Sequence, residues 1–382
     1  MHILAINVGS SSVRIAAFSG ANDELARAWE FHEADATQDP ERVLSRALAA
    51  HDAPRFDAVV HRLVHGGDIV TAPGIVDAAL RQALQTVVPL APLHNGACLA
   101  WIEASARLLG GDPVQIVVPD TAFFRNLPER VRRYALPTSL CDELGIHRFG
   151  FHGLAHQSML ETWQGMRGHR DKARLITLQL GSGCSIAATM GSTAIDTSMG
   201  FSPLEGLVMA TRPGDVDPGV LLHVMRRKGW NADTIESVLN HDSGLKGISG
   251  FSGDMRTLLA STEPQARLAV DLYCYRARKY VGAYLAALGG ADAILFGGGV
   301  GENCPEIRER ILSGMEWCGI AIDSAANAST AALPRKVSTS VSATEIWIAP
   351  PDEARVMARA ALVSWFRSSL DFDIERLANF ET

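Results

Sequence analysis

The sequence lacks the charge pattern of a protein that binds nucleic acids or anionic membranes. Its 42 acidic residues outnumber its 35 basic residues, and the formal net charge is −7 at pH 7. A phosphate backbone or an anionic lipid surface requires clustered positive charge in its partner. We therefore expect neither a nucleic acid nor a membrane surface as the main partner.

The chain also has little that would support a framework built on metal ions or disulfides. Its six cysteines form no CxxC pair, and no histidine cluster accompanies them. Structural zinc sites and small disulfide scaffolds both depend on such closely spaced residues. Reduced thiols in a cytosolic compartment are the expectation that fits this pattern.

Neither residues 281–300 nor the first residues have the pattern of a membrane span or a secretory signal. Residues 281–300 contain no lysine or arginine, but they include Asp292 and are interrupted by Gly289 and Gly290. They predict the end of a buried helix followed by a core strand. The N-terminus provides neither a basic segment nor an apolar segment long enough for a signal peptide. These absences predict a cytoplasmic protein.

What is present is the composition of a globular protein with large cores. The 382 residues are 47% hydrophobic and 20% charged, and at roughly 150 residues per domain they correspond to two domains or three. Strand and helix patterns alternate throughout, which indicates α/β layers. The predicted strands are residues 3–7, 13–18, 58–61, 114–118, 175–180, 185–190, 293–296 and 345–348, and the predicted helices are residues 76–88, 96–109, 264–288 and 352–366. Residues 324–332 are small and polar and are expected to form a surface loop.

Two Gly-Ser turns give the chain an internal similarity. Gly9-Ser10 and Gly181-Ser182 each follow an apolar strand and precede a second one, and they are 172 residues apart, close to half the chain. Such hairpins arise by chance, since Gly-Ser turns are common. They also fit a duplicated domain in which small residues let backbone N–H groups approach a phosphate. This feature alone leaves the two interpretations balanced.

A third glycine cluster, residues 297–301, follows a predicted strand and precedes a helical stretch. Glycines at the N-terminus of a helix suit a nucleotide, because bare backbone can approach its phosphates. The cluster matches neither the dinucleotide pattern GxGxxG nor the P-loop pattern. Tight packing between strand and helix would also require glycine, but three such loops on a repeated plan favour nucleotide binding.

Charged residues follow several of the predicted strands. Arg62 comes just after a core strand, Asp120 ends another, and His152 and Arg212 lie in glycine-containing segments. Each has an ordinary structural explanation as an ion-pair member, a helix cap or a core histidine. Ligands of α/β proteins, however, bind in loops at the ends of strands.

Eight segments together resemble the signature segments of the acetate/propionate kinase family. They read INVGSSSVR, HRLVHGGD, PLHNG, DTAF, FGFHGLAH, DTSMGFSPLEGLVMATRPGDVDPG, SGLKGISGFSGDMR and FGGGVGEN, and the resemblance as a whole runs from residue 3 to about residue 360. The resemblance implies the α/β fold shared by actin, Hsp70 ATPase domains and sugar kinases. It comprises duplicated actin-like ATPase (ribonuclease H-like) domains with an active-site cleft between them. The expected domains are residues 1–148 plus 354–382, closed by the C-terminal helix, and residues 149–353, which bind the nucleotide.

The resemblance also implies ligands and roles for the matching positions. Family members are usually homodimers that use ATP and Mg²⁺, or Mn²⁺, to phosphorylate a short carboxylate. Arg62 and Arg212 would hold the carboxylate and the transferring phosphoryl group, Asp120 would orient them or a metal-bound water, and His152 would donate to the phosphoryl group. The pocket for the acyl group would comprise Arg62, Val64, Leu93, Phe151 and Pro203, and the metal site Asn7 and Glu353. The nucleotide site would comprise Arg14, Gln179, Gly181, Ser182, Gly183, Asp254, Met255, Arg256, Gly298, Gly299, Gly301 and Asn303.

The chain departs from the family pattern at several of these positions. The family's HLGNG reads QLGSG at residues 179–183, so Gln179 replaces a histidine and Ser182 an asparagine. Phe124 replaces the histidine of DTAFH, Pro213 the serine of TRSGD, and Arg14 the usual lysine. Gln179 can still donate a neutral hydrogen bond to a phosphate oxygen. We expect activity to be retained at a reduced rate, and these departures leave the phosphoryl donor open.

The predicted function is the reversible transfer of the γ-phosphoryl group of ATP to acetate, which gives acetyl phosphate and ADP. Phosphorylation of propionate or another short acid is the alternative within the class, because one methylene discriminates by only about 1–3 kcal/mol. Pyrophosphate is an alternative donor. A non-catalytic nucleotide switch is the alternative from another class, but it would not need Arg62, Asp120, His152 and Arg212.

Overall fold

The computed structural model describes residues 1–9, 12–21, 24–34, 39–51 and 54–378. The chain divides into two compact units, Met1–Arg125 with Asp352–Thr382, and Asn126–Pro351. Residues 126–148, which the sequence assigned to the first domain, therefore belong to the second unit. The assignment of the domains themselves stays a prediction.

Hydrogen bonds explain why residues 126–148 belong to the second unit. The guanidinium of Arg148 donates to the backbone oxygens of Thr197 and Met199 and to the carboxylate of Glu205. The hydroxyl of Tyr134 donates to the same carboxylate at 2.5 Å. These partners lie far away in the sequence, so the local pattern did not reveal them.

The first unit contains a six-stranded sheet of order β3-β2-β1-β4-β6-β5. Its strands are β1 (His2–Val8), β2 (Ser12–Ala21), β3 (Glu24–Ala34), β4 (Ala58–Leu63), β5 (Gly74–Ile75) and β6 (Val114–Pro119). Its helices are α1 (Pro40–Ala50), α2 (Ala78–Thr86), α3 (Pro92–Leu108) and the C-terminal helix Glu353–Ala378. Strands β1 and β4 are buried almost throughout, and α3 and the C-terminal helix both contact them. Such near-continuous burial is typical of parallel strands covered by helices.

The second unit contains a six-stranded sheet of order β11-β12-β10-β7-β8-β9. Its strands are β7 (Arg174–Leu180), β8 (Cys184–Met190), β9 (Thr193–Thr197), β10 (Ala293–Gly297), β11 (Arg335–Lys336) and β12 (Glu345–Ile348). Its helices are α4 (Glu129–Arg132), α5 (Thr138–Leu144), α6 (Gly153–Arg167), α7 (Pro218–Lys228), α8 (Ala232–His241), α9 (Gly244–Ser249), α10 (Met255–Ala260), α11 (Pro264–Leu288), α12 (Gly298–Asn303), α13 (Pro305–Leu312) and α14 (Ser324–Ala328). The C-terminal helix of the chain is α15.

The two sheets share one topology. In each, the first strand pairs antiparallel with the second, which pairs antiparallel with the third. In the first sheet, β1 also pairs parallel with β4, and β4 pairs parallel with β6. In the second sheet, β7 pairs parallel with β10, and β10 pairs parallel with β12. A two-residue antiparallel strand completes each sheet. The duplicated α/β architecture, which is one of two interpretations of the Gly-Ser turns and which the family resemblance implies, is therefore confirmed.

Most predicted elements are present, with boundaries that shift by a few residues. Helix α11 and strand β12 have the predicted bounds, while β4 extends to Leu63 and so includes Arg62, which the sequence had placed after the strand. The first Gly-Ser turn contains residues 10 and 11, which lie outside the described residues. No helix within the described ranges combines the length and apolarity that a membrane span requires.

The prediction of a surface loop at residues 324–332 is wrong for its first part. Residues 324–328 form the short helix α14, and Asp323 caps it by accepting a hydrogen bond from the amide of Ala326. Asn327 is buried because its side-chain oxygen accepts from the guanidinium of Arg308 at 2.7 Å. Asn327 is the one buried residue of α14, so the segment stays at the surface as predicted but is helical in its first part.

Candidate active site

In the first unit, Arg62 and Asp120 form a buried ion pair at the ends of neighbouring strands. Arg62 lies near the end of β4, and Asp120 begins a 3-10 turn that follows β6, the parallel neighbour of β4. Nε and Nη2 of Arg62 donate to Oδ2 of Asp120 at 3.1 and 2.5 Å. The side chains are 12% and 1% exposed, so solvent screens the pair weakly.

Asn7 extends this ion pair into a chain of four polar side chains. Its Oδ1 accepts from Nη1 of Arg62 at 3.2 Å, and its Nδ2 donates to Oε2 of Glu353, the first residue of α15, at 2.5 Å. Burial alone lowers the pKa of Arg62, but the carboxylates of Asp120 and Glu353 outweigh it and hold that pKa above its ordinary value. Arg62 is therefore a permanently charged donor with a fixed orientation.

The oxygens of Glu353 and Asn7 are suitable ligands for a hard divalent cation. Among the described residues, no cluster of three or more His, Cys, Asp and Glu side chains could enclose a metal ion. Mg²⁺ is commonly bound by one or two carboxylates together with substrate phosphates and water, rather than by a protein cage. A single carboxylate beside an amide oxygen fits that mode.

In the second unit, Arg212 and His152 converge on Gly183. His152 precedes α6 in a left-handed conformation with φ of 57°. A Cβ atom at Gly183 would lie 2.6 Å from Nη2 of Arg212 and 3.2 Å from Nε2 of His152. Only glycine leaves room for both groups at this turn. The second Gly-Ser turn thus lies against two nitrogen donors.

Arg212 has no carboxylate partner among the residues that the structure describes. Its Nη1 donates to the backbone oxygen of Pro203 at 2.7 Å. Burial lowers the pKa of this guanidinium, because removal from water disfavours the charged form. A buried cation without a resident counter-ion is an arrangement that an anionic ligand stabilises. Arg212 therefore differs from Arg62, whose charge Asp120 already balances.

A hydrogen-bonded series of side chains supports His152 from behind. Nδ1 of His152 lies 2.9 Å from Oγ of Ser185, which lies 2.8 Å from Nε2 of His156. Nδ1 of His156 lies 2.7 Å from Oγ1 of Thr177. Ser185, His156 and Thr177 were not among the site residues predicted from the sequence. The one available signal was the spacing of four residues between the two histidines, which in the structure puts His156 one turn into α6 from His152, the residue before the helix.

The predicted nucleotide-binding residues other than Arg14, which lies in β2 of the first unit, occupy two turns and a helix start in the second unit. Gly181 donates its amide to the oxygen of Gly183 at 3.1 Å and closes the turn. Oε1 of Gln179 is buried and has no hydrogen-bond partner among the described residues. The glycines of α12 follow β10, and nothing lies within 4 Å of a Cβ built on Gly299, so the backbone there is open. Gly298, Gly301 and Asn303 belong to this same helix, and Nδ2 of Asn303 donates to the oxygen of Gly299.

The segment 254–256 has a complete structural explanation of its own. Asp254 caps α10 by accepting from the amide of Arg256, and its carboxylate pairs with the exposed guanidinium of Arg256. The hydrogen bond from Arg256 lowers the pKa of Asp254 to about 2. Met255 is buried in the core. The role of these residues towards a nucleotide stays a prediction.

The predicted pocket residues divide between the two units. Val64 is buried just after β4, and Phe151 is buried beside His152. Pro203 contributes the backbone oxygen that holds Arg212. Leu93 lies in α3, and its side chain lies outside the described ones. Arg14 pairs with Asn7 in the β1–β2 register and is exposed.

These observations define an α/β protein with two sheets of the same topology and charged side chains at the ends of their strands. Comparison with known proteins identifies its family. The family model described as "Acetokinase family" matches residues 21–359. The acetate kinase of Solibacter usitatus is 42% identical over 307 residues, which are 79% of this chain and 74% of that protein. The acetate kinase of Chloroherpeton thalassium is 43% identical over 308 residues, with the same coverage.

Two solved structures agree with this result. The crystal structure of Porphyromonas gingivalis acetate kinase superposes with a TM-score of 0.84 and 35% identity, over 95% of this chain and 99% of that one. A propionate kinase from Francisella tularensis gives a TM-score of 0.84 and 30% identity, over 94% and 98%. The chain belongs to the acetokinase family and has its duplicated actin-like ATPase fold.

Proposed function

We propose that this protein is an acetate kinase, which transfers the γ-phosphoryl group of ATP reversibly to acetate. The observation that carries the proposal is the buried Arg212 without a carboxylate partner, beside His152 and the glycine turn at residue 183. This arrangement suits an incoming phosphoryl group rather than an internal ion pair. The relatives that are named acetate kinases support acetate as the acceptor.

The proposed reaction needs positioning and positive charge more than it needs a base. Acetate is already ionised at neutral pH, so its oxygen can attack without losing a proton. Arg62, fixed by Asp120, binds an anionic oxygen, and Arg212 and His152 donate to the phosphoryl oxygens as their charge is redistributed. The planar guanidinium groups suit both carboxylate and phosphate.

In this proposal, Glu353 and Asn7 hold Mg²⁺ or Mn²⁺. The bound cation would neutralise charge on the nucleotide phosphates. The hydrogen bond between Asn7 and Glu353 keeps both side chains next to Arg62. The same two residues therefore connect the proposed metal site to the proposed substrate-binding arginine.

We assign ATP to the two glycine segments of the second unit, residues 181–183 and α12. Among the described residues, no atom lies within 4 Å of a Cβ built on Gly299, so the backbone of α12 is accessible there. The side-chain amide of Gln179 lies beside the turn at residues 181–183. We also propose a homodimer in the cytoplasm, on the strength of the family resemblance. Analytical ultracentrifugation of the full chain tests the dimer, and a single species of 41.0 kDa contradicts it.

Trapping of the product with hydroxylamine tests the function directly. The full chain is incubated with ATP, Mg²⁺ and hydroxylamine, and each of acetate, propionate and butyrate is supplied in turn. Acyl phosphate appears as the coloured hydroxamate, and we expect the highest kcat/KM with acetate. A preference for propionate reassigns the acceptor, and product formation from pyrophosphate but not ATP reassigns the donor. No hydroxamate under any condition contradicts the kinase proposal.

A further inference from the structure

We propose that Thr177, Ser185 and His156 are positioning residues that hold His152 in the tautomer with its proton on Nε2. The proposal rests on the proposed function, in which His152 donates a hydrogen bond to the phosphoryl group. Such donation requires a proton on the nitrogen nearest to Gly183 and Arg212, and that nitrogen is Nε2. The three residues form a relay from the interior of the second unit to His152.

The relay is built into one face of the β7–β8 pair. Thr177 lies opposite Ala187, and Ser185 lies opposite Gln179, so Thr177 and Ser185 are diagonal neighbours on one face. The imidazole of His156 spans them, with Nδ1 at 2.7 Å from Thr177 and Nε2 at 2.8 Å from Ser185. Thr177, Ser185 and His156 have essentially no solvent exposure. Water therefore does not replace any of these hydrogen bonds.

The hydroxyl of Ser185 couples the tautomers of the two histidines. It contacts a ring nitrogen of each, but it carries one proton and can donate to only one of them. If it donates to Nδ1 of His152, then His156 must donate from Nε2, and Nδ1 of a neutral His156 must accept from Thr177. In that direction the protons of Thr177, His156 and Ser185 all have acceptors, and the proton of a neutral His152 is on Nε2, where the proposed phosphoryl group would accept it.

The opposite direction leaves a buried donor unsatisfied. There, His152 donates from Nδ1 to Ser185, Ser185 donates to His156, and His156 donates from Nδ1 to Thr177. The hydroxyl proton of Thr177 then has no acceptor, since its bond to His156 is the sole hydrogen bond of that side chain among the described residues. An unsatisfied buried hydroxyl disfavours this direction by roughly 10- to 100-fold. Thr177 therefore determines the tautomer of His152 although the two do not touch, because His156 and Ser185 connect them by hydrogen bonds.

The charge next to His152 favours a neutral ring. Nη2 of Arg212 faces the same glycine as Nε2 of His152, and a second full positive charge there would be repelled, which leaves the position of the single ring proton to the relay. Cys184 begins β8, next to Ser185. Its thiol is hydrogen-bonded to the oxygen of Gly181 and to the hydroxyl of Tyr273. Burial raises the pKa of that thiol to about 11, so it stays neutral at pH 7. No carboxylate among the residues of this relay would draw the proton to Nδ1.

Nitrogen NMR of the full chain, labelled with ¹⁵N-histidine, tests the tautomer. The signals of His152 are assigned from their loss in His152→Gln. We expect the parent to show a protonated Nε2 and an unprotonated Nδ1 at this residue. In Thr177→Val, which removes the hydroxyl at nearly constant volume, Nδ1 of His156 loses its hydroxyl partner in either direction of the relay. The preference imposed by Thr177 is then lost, and we expect a measurable population with the proton on Nδ1 of His152. We also expect kcat to fall about 10-fold while KM for acetate changes less than two-fold.

Two further variants separate positioning from general destabilisation. Thr177→Ser restores a hydroxyl and should restore the parent tautomer and most of kcat. Thr189→Val is the matched control, because Thr189 is equally buried in β8 and its hydroxyl has no hydrogen-bond partner among the described residues. It should leave both readouts at the parent value.

A parent spectrum with the proton on Nδ1, or an unchanged tautomer in Thr177→Val, overturns the proposal. If Thr177→Val does not fold, the spectrum of the parent alone still tests the proposal, because it shows which nitrogen of His152 carries the proton. Failure of the proposed function is distinguishable, because a parent enzyme that forms no acyl phosphate contradicts that function whatever the tautomer of His152.

Discussion

Arg62 donates from both Nε and Nη2 to one carboxylate oxygen of Asp120, whereas Arg212 faces no carboxylate among the described residues. The two arginines are both assigned to anion binding, yet their resting charges are balanced differently. Loss of Arg62 breaks a buried ion pair with Asp120, while loss of Arg212 breaks no ion pair with a described carboxylate. Activity and stability should therefore respond differently at the two positions.

Replacing either arginine by alanine should lower kcat at least about 10²-fold, the scale for loss of one pre-organised electrostatic contact. Arg62→Ala should also destabilise the fold by about 3 kcal/mol, because it removes one partner of a buried ion pair. Arg212→Ala should unfold at nearly the parent temperature. Hydroxamate assays and thermal unfolding measure the two effects.

Arg107→Ala is the control for both arginine variants. Arg107 lies on α3 with its side chain 59% exposed, so its loss should change neither quantity appreciably. A turnover of Arg212→Ala near that of the parent would remove Arg212 from the reaction.

The sequence reveals local features of this fold better than contacts between distant residues. Helix α11 is delimited by Pro264 at its start and by Gly289, with φ of 70°, at its end, and both signals are local. The pairing of Arg62 with Asp120 joins residues 58 positions apart, and no local pattern shows it. The same holds for Arg308 and Asn327, whose contact makes residues 324–328 a helix rather than a loop.

The candidate site was predictable to the same extent. Glycine clusters and strand ends predicted where anions would bind, and the family resemblance predicted which side chains would act; both stay predictions. The support of His152 by Ser185 and Thr177 was not predictable, because hydroxyl residues in buried strands are usually neutral in function. The direction of hydrogen bonding in that relay follows from distances, which a sequence does not contain.

His152→Asn should reduce kcat at least about 10²-fold and change KM for acetate much less, because the imidazole is assigned to the transition state. Asparagine is the appropriate replacement, since it tolerates the left-handed backbone at φ of 57° better than alanine does. Steady-state kinetics and thermal unfolding on one preparation measure both effects. His223→Asn, at an exposed position of α7, is the control. A variant that loses thermal stability but keeps kcat would show that His152 is a structural residue.

Acid should destabilise the first unit through His61 in β4. Burial lowers the pKa of His61 to about 4, against the ordinary 6.5, and a hydrogen bond to Gln115 offsets only part of this. The unfolded chain therefore takes up a proton as the pH falls below 6.5, while the folded chain does not until about pH 4. The contribution of neutral His61 to the unfolding free energy is therefore complete above pH 6.5 and is lost as the pH falls towards 4.

Between pH 7 and pH 4.5 the parent should lose about 2 kcal/mol more unfolding free energy than His61→Gln, which has no titrating ring. Urea unfolding at the two pH values, followed by circular dichroism, measures the difference. Equal losses in the two proteins would mean that His61 is protonated in the folded state without penalty.

Arg308 should stabilise the glycine-rich helix α12 through its backbone oxygens. Its guanidinium is buried and donates to the oxygens of Gly301 and Glu302 and to Asn327. Burial lowers its pKa to about 10, and the charge of Arg335 acts in the same direction. Arg308→Lys retains a charge but cannot reach all of these acceptors. We expect a loss of about 1–3 kcal/mol of unfolding free energy and a higher KM for ATP than for the parent.

The control for that variant is Arg310→Lys, two residues further along α13. Arg310 is more exposed and pairs with Asp271 and Glu306, so a lysine can replace it with little loss. If Arg308→Lys is destabilised but its KM for ATP is unchanged, α12 does not contribute to the nucleotide site.

Gln179→His restores the histidine of the family pattern at the position where this chain departs from it, and it should keep the enzyme active. Gln179 lies opposite Ser185 in the β7–β8 register, and its Oε1 has no partner among the described residues. A histidine beside a phosphate is favoured in its protonated form, so its pKa should lie above the ordinary 6.5. The rate should fall as the pH rises through that value and the charge is lost. The parent has no such step, because an amide does not titrate.

Complete pH–rate profiles of the parent, Gln179→His and the control Gln164→His decide between two roles for this position. Gln164 lies on α6 and contacts Ser192, so a histidine there should add no step to the profile. If Gln179 only maintains the turn at residues 181–183, then Gln179→His should lower activity without a new step. Gln179→Ala should in that case weaken nucleotide binding about as much as it slows turnover. Profiles of the same shape for the parent and Gln179→His would exclude a direct electrostatic role, because a charge next to the transferring phosphoryl group cannot change with pH and leave the rate unaffected.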